Sequence, residues 1–115
     1  EKSESYMSEA TQIGPYNVLT KNIDSLKPSE LRSLAQQLVH QPGRIVFLGS
    51  IADFRAHLIF ACSNDIELNM TNFLDSCVKT VDGKGGGNAQ IAQGGGPNTD
   101  RIDEALNNAE NLLKL

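Results

Sequence analysis

Residues 83–96 read GKGGGNAQIAQGGG and hold seven of the chain's ten glycines, one lysine and no carboxylate. Glycine has no Cβ, so a ligand can approach main-chain N–H groups directly, and it takes positive φ without strain. Successive exposed N–H groups form concavities that hold anions, phosphates above all. Ordering so many glycines is costly in chain entropy. Either a ligand or a backbone contact too close for side chains has to offset that cost. On the chemical reading, the candidate groups are Lys84, the main chain of Gly85, Gly86, Gly87, Gly94 and Gly95, and the side chains of Asn88 and Gln93. Arg55 and His57 join them if the strand that carries them runs beside this segment.

Two familiar glycine loops are excluded by spacing. A P-loop needs Ser or Thr after its lysine to reach magnesium, but Lys84 is followed by Gly85. The dinucleotide fingerprint GxGxxG follows a strand. Here Asn88 stands where the third glycine belongs, and the periodicity before it is helical. His40 and His57 lie on different elements and suggest no catalytic pair, so no acid, base or nucleophile is matched in these residues.

The elements that must position this segment follow from hydrophobic period and punctuation. Asn17 to Ile23 reads as a strand. Pro28 and Glu30 open a helix whose stripe is Leu31, Leu34, Ala35, Leu38 and Val39, stopped by Pro42-Gly43. Arg44–Ile51 and His57–Ser63 are apolar runs joined by a turn at Ala52-Asp53-Phe54, too short for a crossover, so they pair antiparallel. Asn69 caps a second helix with Met70, Phe73, Leu74, Cys77, Val78 and Val81 on one face, and Gly83 stands at its C-terminal stop. Ala89 to Ala92 is a short strand within a glycine loop. Pro97 to Asp100 starts a last helix with Ile102, Ala105, Leu106, Ala109, Leu112 and Leu113 inward. The order β-α-β-β-α-(β)-α predicts an α/β (α+β) fold, a mixed sheet packed by about three helices.

At 115 residues the chain holds one domain, with residues 14–115 forming it. Residues 1–13 read as the tail of a linker or helix from an upstream domain, because the chain opens Glu1-Lys2-Ser3-Glu4 without methionine. The formal charge of −4 argues against a bulk electrostatic nucleic-acid binder and leaves room only for a local basic patch. No run approaches the ~18 apolar residues of a membrane span. Cys62 and Cys77 have no metal-ligand spacing and read as buried thiols of a reducing, cytoplasmic compartment.

The segment GKGGGNAQIAQGGG resembles the GGKGGGRPDMAQAGG-type signature of the DHH-associated C-terminal domain. That domain occurs in alanyl-tRNA synthetases and in AlaX-type alanyl-tRNA editing proteins. Leu31-Arg32, the strand Arg55 to Ala61 and the final helix are similar to the family too, so the resemblance spans about residues 16–115. Asn88, Ala89 and Gln90 depart from the arginine, proline and aspartate common at those positions. Losing the arginine removes a bidentate phosphate donor and leaves any anion contact to Lys84 and the backbone.

The resemblance implies an accessory domain that holds tRNA, at its outer elbow, for upstream domains of the same chain. tRNA(Ala) is the implied partner. It implies no cofactor in these residues; zinc for editing and ATP for aminoacylation belong to parent domains. Two other readings stand beside it. One is the substrate-binding lobe of a DHH phosphodiesterase, against which the histidine of a GGGH-like signature is Asn88 here. The other is an oligomerisation module, a homodimer paired through the last helix.

Overall fold

The computed structural model describes residues 5–23 and 26–114. A short 3₁₀ turn (Tyr6–Glu9) precedes β1 (Thr11–Ile13) and β2 (Tyr16–Asn22); α1 (Pro28–Leu38) leads to β3 (Arg44–Ala52) and β4 (Arg55–Cys62). Then come α2 (Met70–Val78), β5 (Lys84–Gly87), β6 (Ile91–Gly96) and α3 (Ile102–Lys114). The six strands form one mixed sheet in the order β1-β2-β3-β4-β6-β5. Among the described residues only the β2–β3 pair, joined through α1, is parallel.

Two expectations change here. Residues 11–13 are not a linker tail: they pair antiparallel with β2 as an edge strand, Thr11 opposite Val18. Tyr6, Met7 and Ala10 pack on the core as well. The glycine segment is not a loop around one short strand but a β-hairpin, each glycine triplet lying in a strand. Hydrophobic alternation cannot report strands made of glycine, because neither face carries a side chain to alternate.

The local chemistry of the helix ends matches their positions. Pro28 takes the first helical position of α1, and Glu30 Oε1 accepts from the Lys27 N–H at 3.0 Å. Asn69 Oδ1 accepts from Thr71 N at 3.0 Å and caps α2. A 3₁₀ turn (Lys79–Val81) follows α2, and its left-handed stop is Asp82, at φ +57°, rather than Gly83. Gly83 is required for another reason: a Cβ there would stand 2.0 Å from the Gly95 carbonyl oxygen.

Strand alternation sorts the core into two layers. Ile45, Phe47, Leu58, Phe60 and Ala92 point toward α2 and α3; Val46, Leu48, Ile59 and Ala61 point toward α1. The apolar face of α3 is used inside the domain, with Ile102, Ala105, Leu106 and Ala109 buried against the sheet. A pairing of subunits through those four residues therefore has no free surface to use. α1 lies over β3 and β4, whereas α2 lies under β4, β5 and β6. The α1 side of β5 and β6 is left without a helix, and that gap positions the site. No helix among the described residues is long and apolar enough to cross a membrane.

Both thiols are buried and free. Burial pushes Cys77 up to about 11, and burial together with the Asp65 carboxylate raises Cys62. Since the thiolate is the reactive form, iodoacetamide at pH 8 is expected to label neither cysteine in the native protein and both in urea. Stoichiometric native labelling, read by mass spectrometry, would contradict this packing.

Candidate nucleic-acid interface

Register brings the predicted residues into rows. His57 on β4 stands opposite Gly95 on β6, and Gly95 stands opposite Lys84 on β5. One row along, Ile59, Gln93 and Gly86 align in the same way. All six lie on the α1 side of the sheet, because they alternate with residues that face α2 and α3. The result is a groove of ≈ 300 Å³ lined by Pro28, Arg55, His57, Lys84, Gln93 and the main chain of Gly94 and Gly95. Its floor is bare because Gly95 can carry nothing else: a Cβ would meet the Ala56 carbonyl oxygen at 2.5 Å. Lys84 and His57 stand on the two sides of that floor.

The polar groups around it are partly fixed and partly open. Arg32 Nη1, on α1, donates to Gln93 Oε1 at 3.0 Å. That bond turns the Gln93 amide so that its NH₂ remains available as a donor. His57 Nε2 lies 3.2 Å from the Ala52 carbonyl oxygen. With its proton on Nε2 for that bond, the ring keeps Nδ1 as an acceptor. Nδ1 lies 3.4 Å from where a Gly95 Cβ would stand, so it faces the floor. Lys84 and Arg55 are exposed. Among the described residues neither makes an ion pair. Among those residues no carboxylate lines the groove, although the chain carries 14 acidic against 10 basic side chains. The concavity is thus a local cationic site on an acidic domain, which is the arrangement a net-charge argument cannot see.

Three predicted residues lie elsewhere, for identifiable reasons. Gly85 and Gly87 face α2: a Cβ on Gly85 would lie 2.7 Å from Leu74 Cδ2, and one on Gly87 2.5 Å from Ala92 Cα. Asn88 builds the hairpin turn. Its Oδ1 accepts from Gln90 N at 2.9 Å and Ile91 N at 3.0 Å, and its carbonyl accepts from Thr71 Oγ1 at 3.0 Å. That side chain is an Asx turn at the far end of β5, about 13 Å along the strand from Lys84.

The expected anion-cradling amides are also corrected. No glycine in 83–96 has positive φ; only Gly14 and Gly43 do. β6 lies between β4 and β5, so its amides are consumed by ladder pairing. Asn88 N donates to Ile91 O. The antiparallel alternation from that bond leaves only the Gly85 and Gly87 amides pointing off the sheet edge. The groove therefore presents side chains over a bare floor, not a main-chain nest.

A family model described as the DHHA1 domain matches residues 16–115. The chain belongs to that family. Among curated relatives, an alanine–tRNA ligase of Methanoregula boonei is 39% identical over 95 residues, covering 83% of this chain and 10% of the relative. One of Nostoc sp. is 30% identical over 118 residues, covering 98% of this chain and 13% of the relative. The chain thus spans at most 13% of these two proteins. The C-Ala domain from Aquifex aeolicus alanyl-tRNA synthetase superposes with a TM-score of 0.85 at 27% identity, over 92% of this chain and 98% of that one.

Two side chains next to lining residues of the DHHA1 groove carry little site signal in the sequence. Arg32 is legible there only as half of the family's Leu-Arg pair, and its role as the partner of Gln93 needs the side chain to reach from α1 to β6, a contact only the fold provides. Phe54 reads as a turn residue, yet its neighbour Arg55 lines the groove. No group of three or more His, Cys, Asp or Glu among the described residues is placed to hold a metal ion.

Proposed function

We propose that this DHHA1 domain is a tRNA-holding module of an alanyl-tRNA synthetase-type protein, gripping the ribose-phosphate strand of tRNA(Ala) between Lys84 and His57. It serves upstream domains of the same cytoplasmic chain that charge tRNA or hydrolyse mischarged tRNA, and any zinc or ATP of the whole protein acts there. One observation carries the reading: a glycine-floored groove with two exposed cations and no carboxylate among its described lining, on a domain whose overall charge is negative.

The chemistry of the groove suits RNA backbone. Lys84 and Arg55 match phosphate oxygens. The Gln93 NH₂ matches a further oxygen, and His57 Nδ1 can accept from a ribose 2′-hydroxyl, the group that separates RNA from DNA. None of these groups reads a base edge, so the contact positions tRNA without selecting its sequence. Tethering to domains that recognise the same tRNA makes a weak contact sufficient. The phosphodiesterase reading is disfavoured by Asn88, which occupies the histidine position as a turn-former rather than as a ligand.

The test is a salt titration of binding to a tRNA(Ala) transcript. Log K is expected to fall linearly with log salt. Lys84→Ala should weaken binding about 5- to 10-fold at low salt and reduce the slope by about 0.7–0.9, the value of one phosphate contact. Unchanged affinity and slope would return Lys84 to the solvated surface and remove the reading's central contact.

A further inference from the structure

The β3–β4 connection is a two-residue hairpin, Ala52 pairing with Arg55. Asp53 and Phe54 both hold positive φ, +53° and +62°. That is the signature of a type I′ turn, a position that favours Asn-Gly or Asp-Gly. Glycine is absent from it, and a bulky ring in the left-handed region is held against its own backbone preference. The ring is also 95% exposed, the one large hydrophobic among the described residues to be so. A single exposed apolar side chain needs no account. One that is strained, bare to water and next in sequence to a cation of the groove does.

Folding gains nothing from Phe54, since glycine would relieve the turn and remove apolar surface from water. What the ring can do in that position is offer a flat π-face one residue from Arg55, which lines the cationic groove. We propose that Phe54 is a stacking platform for an unpaired base of the RNA strand whose phosphate lies against Arg55. This rests on the reading of the groove as an RNA site and deepens it. A phosphate held at Arg55 brings its own base within reach of the adjacent ring. A groove lining with cations and no carboxylate among the described residues favours a polyanion over a second protein as the occupant. Stacking of this kind tolerates any base, because every base has a π-face. It thus complements side chains that grip backbone without reading sequence.

The experiment compares wild type with Phe54→Ala, Phe54→Leu, Phe54→Trp and Phe54→Gly in the same tRNA(Ala) titration, with light scattering and thermal melts alongside. Stacking predicts that Phe54→Ala and Phe54→Leu both weaken binding on the order of 10-fold, while Phe54→Trp retains it. The salt slope should not change, because no phosphate contact is lost. Phe54→Gly is expected to melt roughly 3–5 °C above wild type while binding as poorly as Phe54→Ala. Four outcomes overturn the proposal. Full affinity in Phe54→Ala, with a slope that still falls in Lys84→Ala, removes the platform and leaves the groove intact. Rescue by leucine removes the stacking, since an aliphatic side chain has no π-face, and a dimer that Phe54→Ala dissolves makes the occupant a second copy of this chain. A wild type that binds no tRNA at all removes groove and platform together.

Discussion

A chain carrying Gly83→Ala is expected to melt roughly 10–15 °C below wild type, and one carrying Gly86→Ala at or slightly above it. The two positions are three residues apart in one glycine-rich segment, and the substitution is the same. Their surroundings set opposite signs. A Cβ on Gly83 would stand 2.0 Å from the Gly95 carbonyl oxygen, 2.5 Å from its carbon and 2.9 Å from Gly96 Cα. All three are main chain of β6, which α2 supports from beneath, so none can swing aside as a side chain would. Relief requires the hairpin to move off the sheet, at a cost of about 3 kcal/mol, the upper range of overpacking. At about 4 °C per kcal/mol for a domain of this size, that gives the stated shift.

A Cβ on Gly86 would find nothing within 4 Å, and the residue's φ is not positive. Alanine there only restricts the unfolded chain and stabilises by about 0.4–1 kcal/mol. Gly96→Ala, whose Cβ would meet the Val81 carbonyl oxygen at 2.1 Å, is expected to follow Gly83. Thermal melts of the three variants check this. Equal melting temperatures would mean that the triplets are not packed as described, and the bare floor of the groove would lose its explanation.

That contrast also marks where sequence reasoning reaches and where it stops. The periodic elements are legible: the stripe of α1, the paired runs of β3 and β4, the Asn69 cap and the inward face of α3 all rest on side chains whose spacing reports their environment. β5 and β6 are not, because a strand of glycine has no side chain to alternate and its turn, Asn88 to Ile91, lacks the two-residue Asn-Gly signature. β1 is three residues long and mostly exposed, too short for a pattern. For the site, Arg55, His57, Lys84, Gln93 and Gly95 are candidates by residue type alone, but their meeting depends on β6 inserting between β4 and β5, a pairing no local signal encodes. The main-chain nest fails for the same reason. Composition shows that glycines are permitted positive φ, and only the fold shows that these use extended backbone instead.

The largest functional effect is expected from reversing charge in the groove. Arg55→Glu with Lys84→Glu should lower affinity for the tRNA(Ala) transcript on the order of 100-fold or more at low salt, since two phosphate contacts are lost and two like-charge clashes replace them. The change also makes the domain more acidic by four charges, so a second double variant is needed that does the same elsewhere. Lys79→Glu with Lys114→Glu does so from elements on the opposite face, where both lysines are exposed. If attraction came from the whole domain, the two variants would lose affinity equally. If it comes from the groove, the control compared at 0.1 M salt should lose no more than a few-fold, because exposed charges beyond about 10 Å are largely screened at that ionic strength. Arg55 and Lys84 make no ion pair among the described residues, so the groove variant should melt within about 0.5 kcal/mol of wild type. Lys114 pairs with Glu110 at 3.4 Å in the last turn of α3, so the control should fold with a loss of about 1 kcal/mol. An equal loss in the two variants, with folding intact in both, would place tRNA attraction outside the floor between Lys84 and His57.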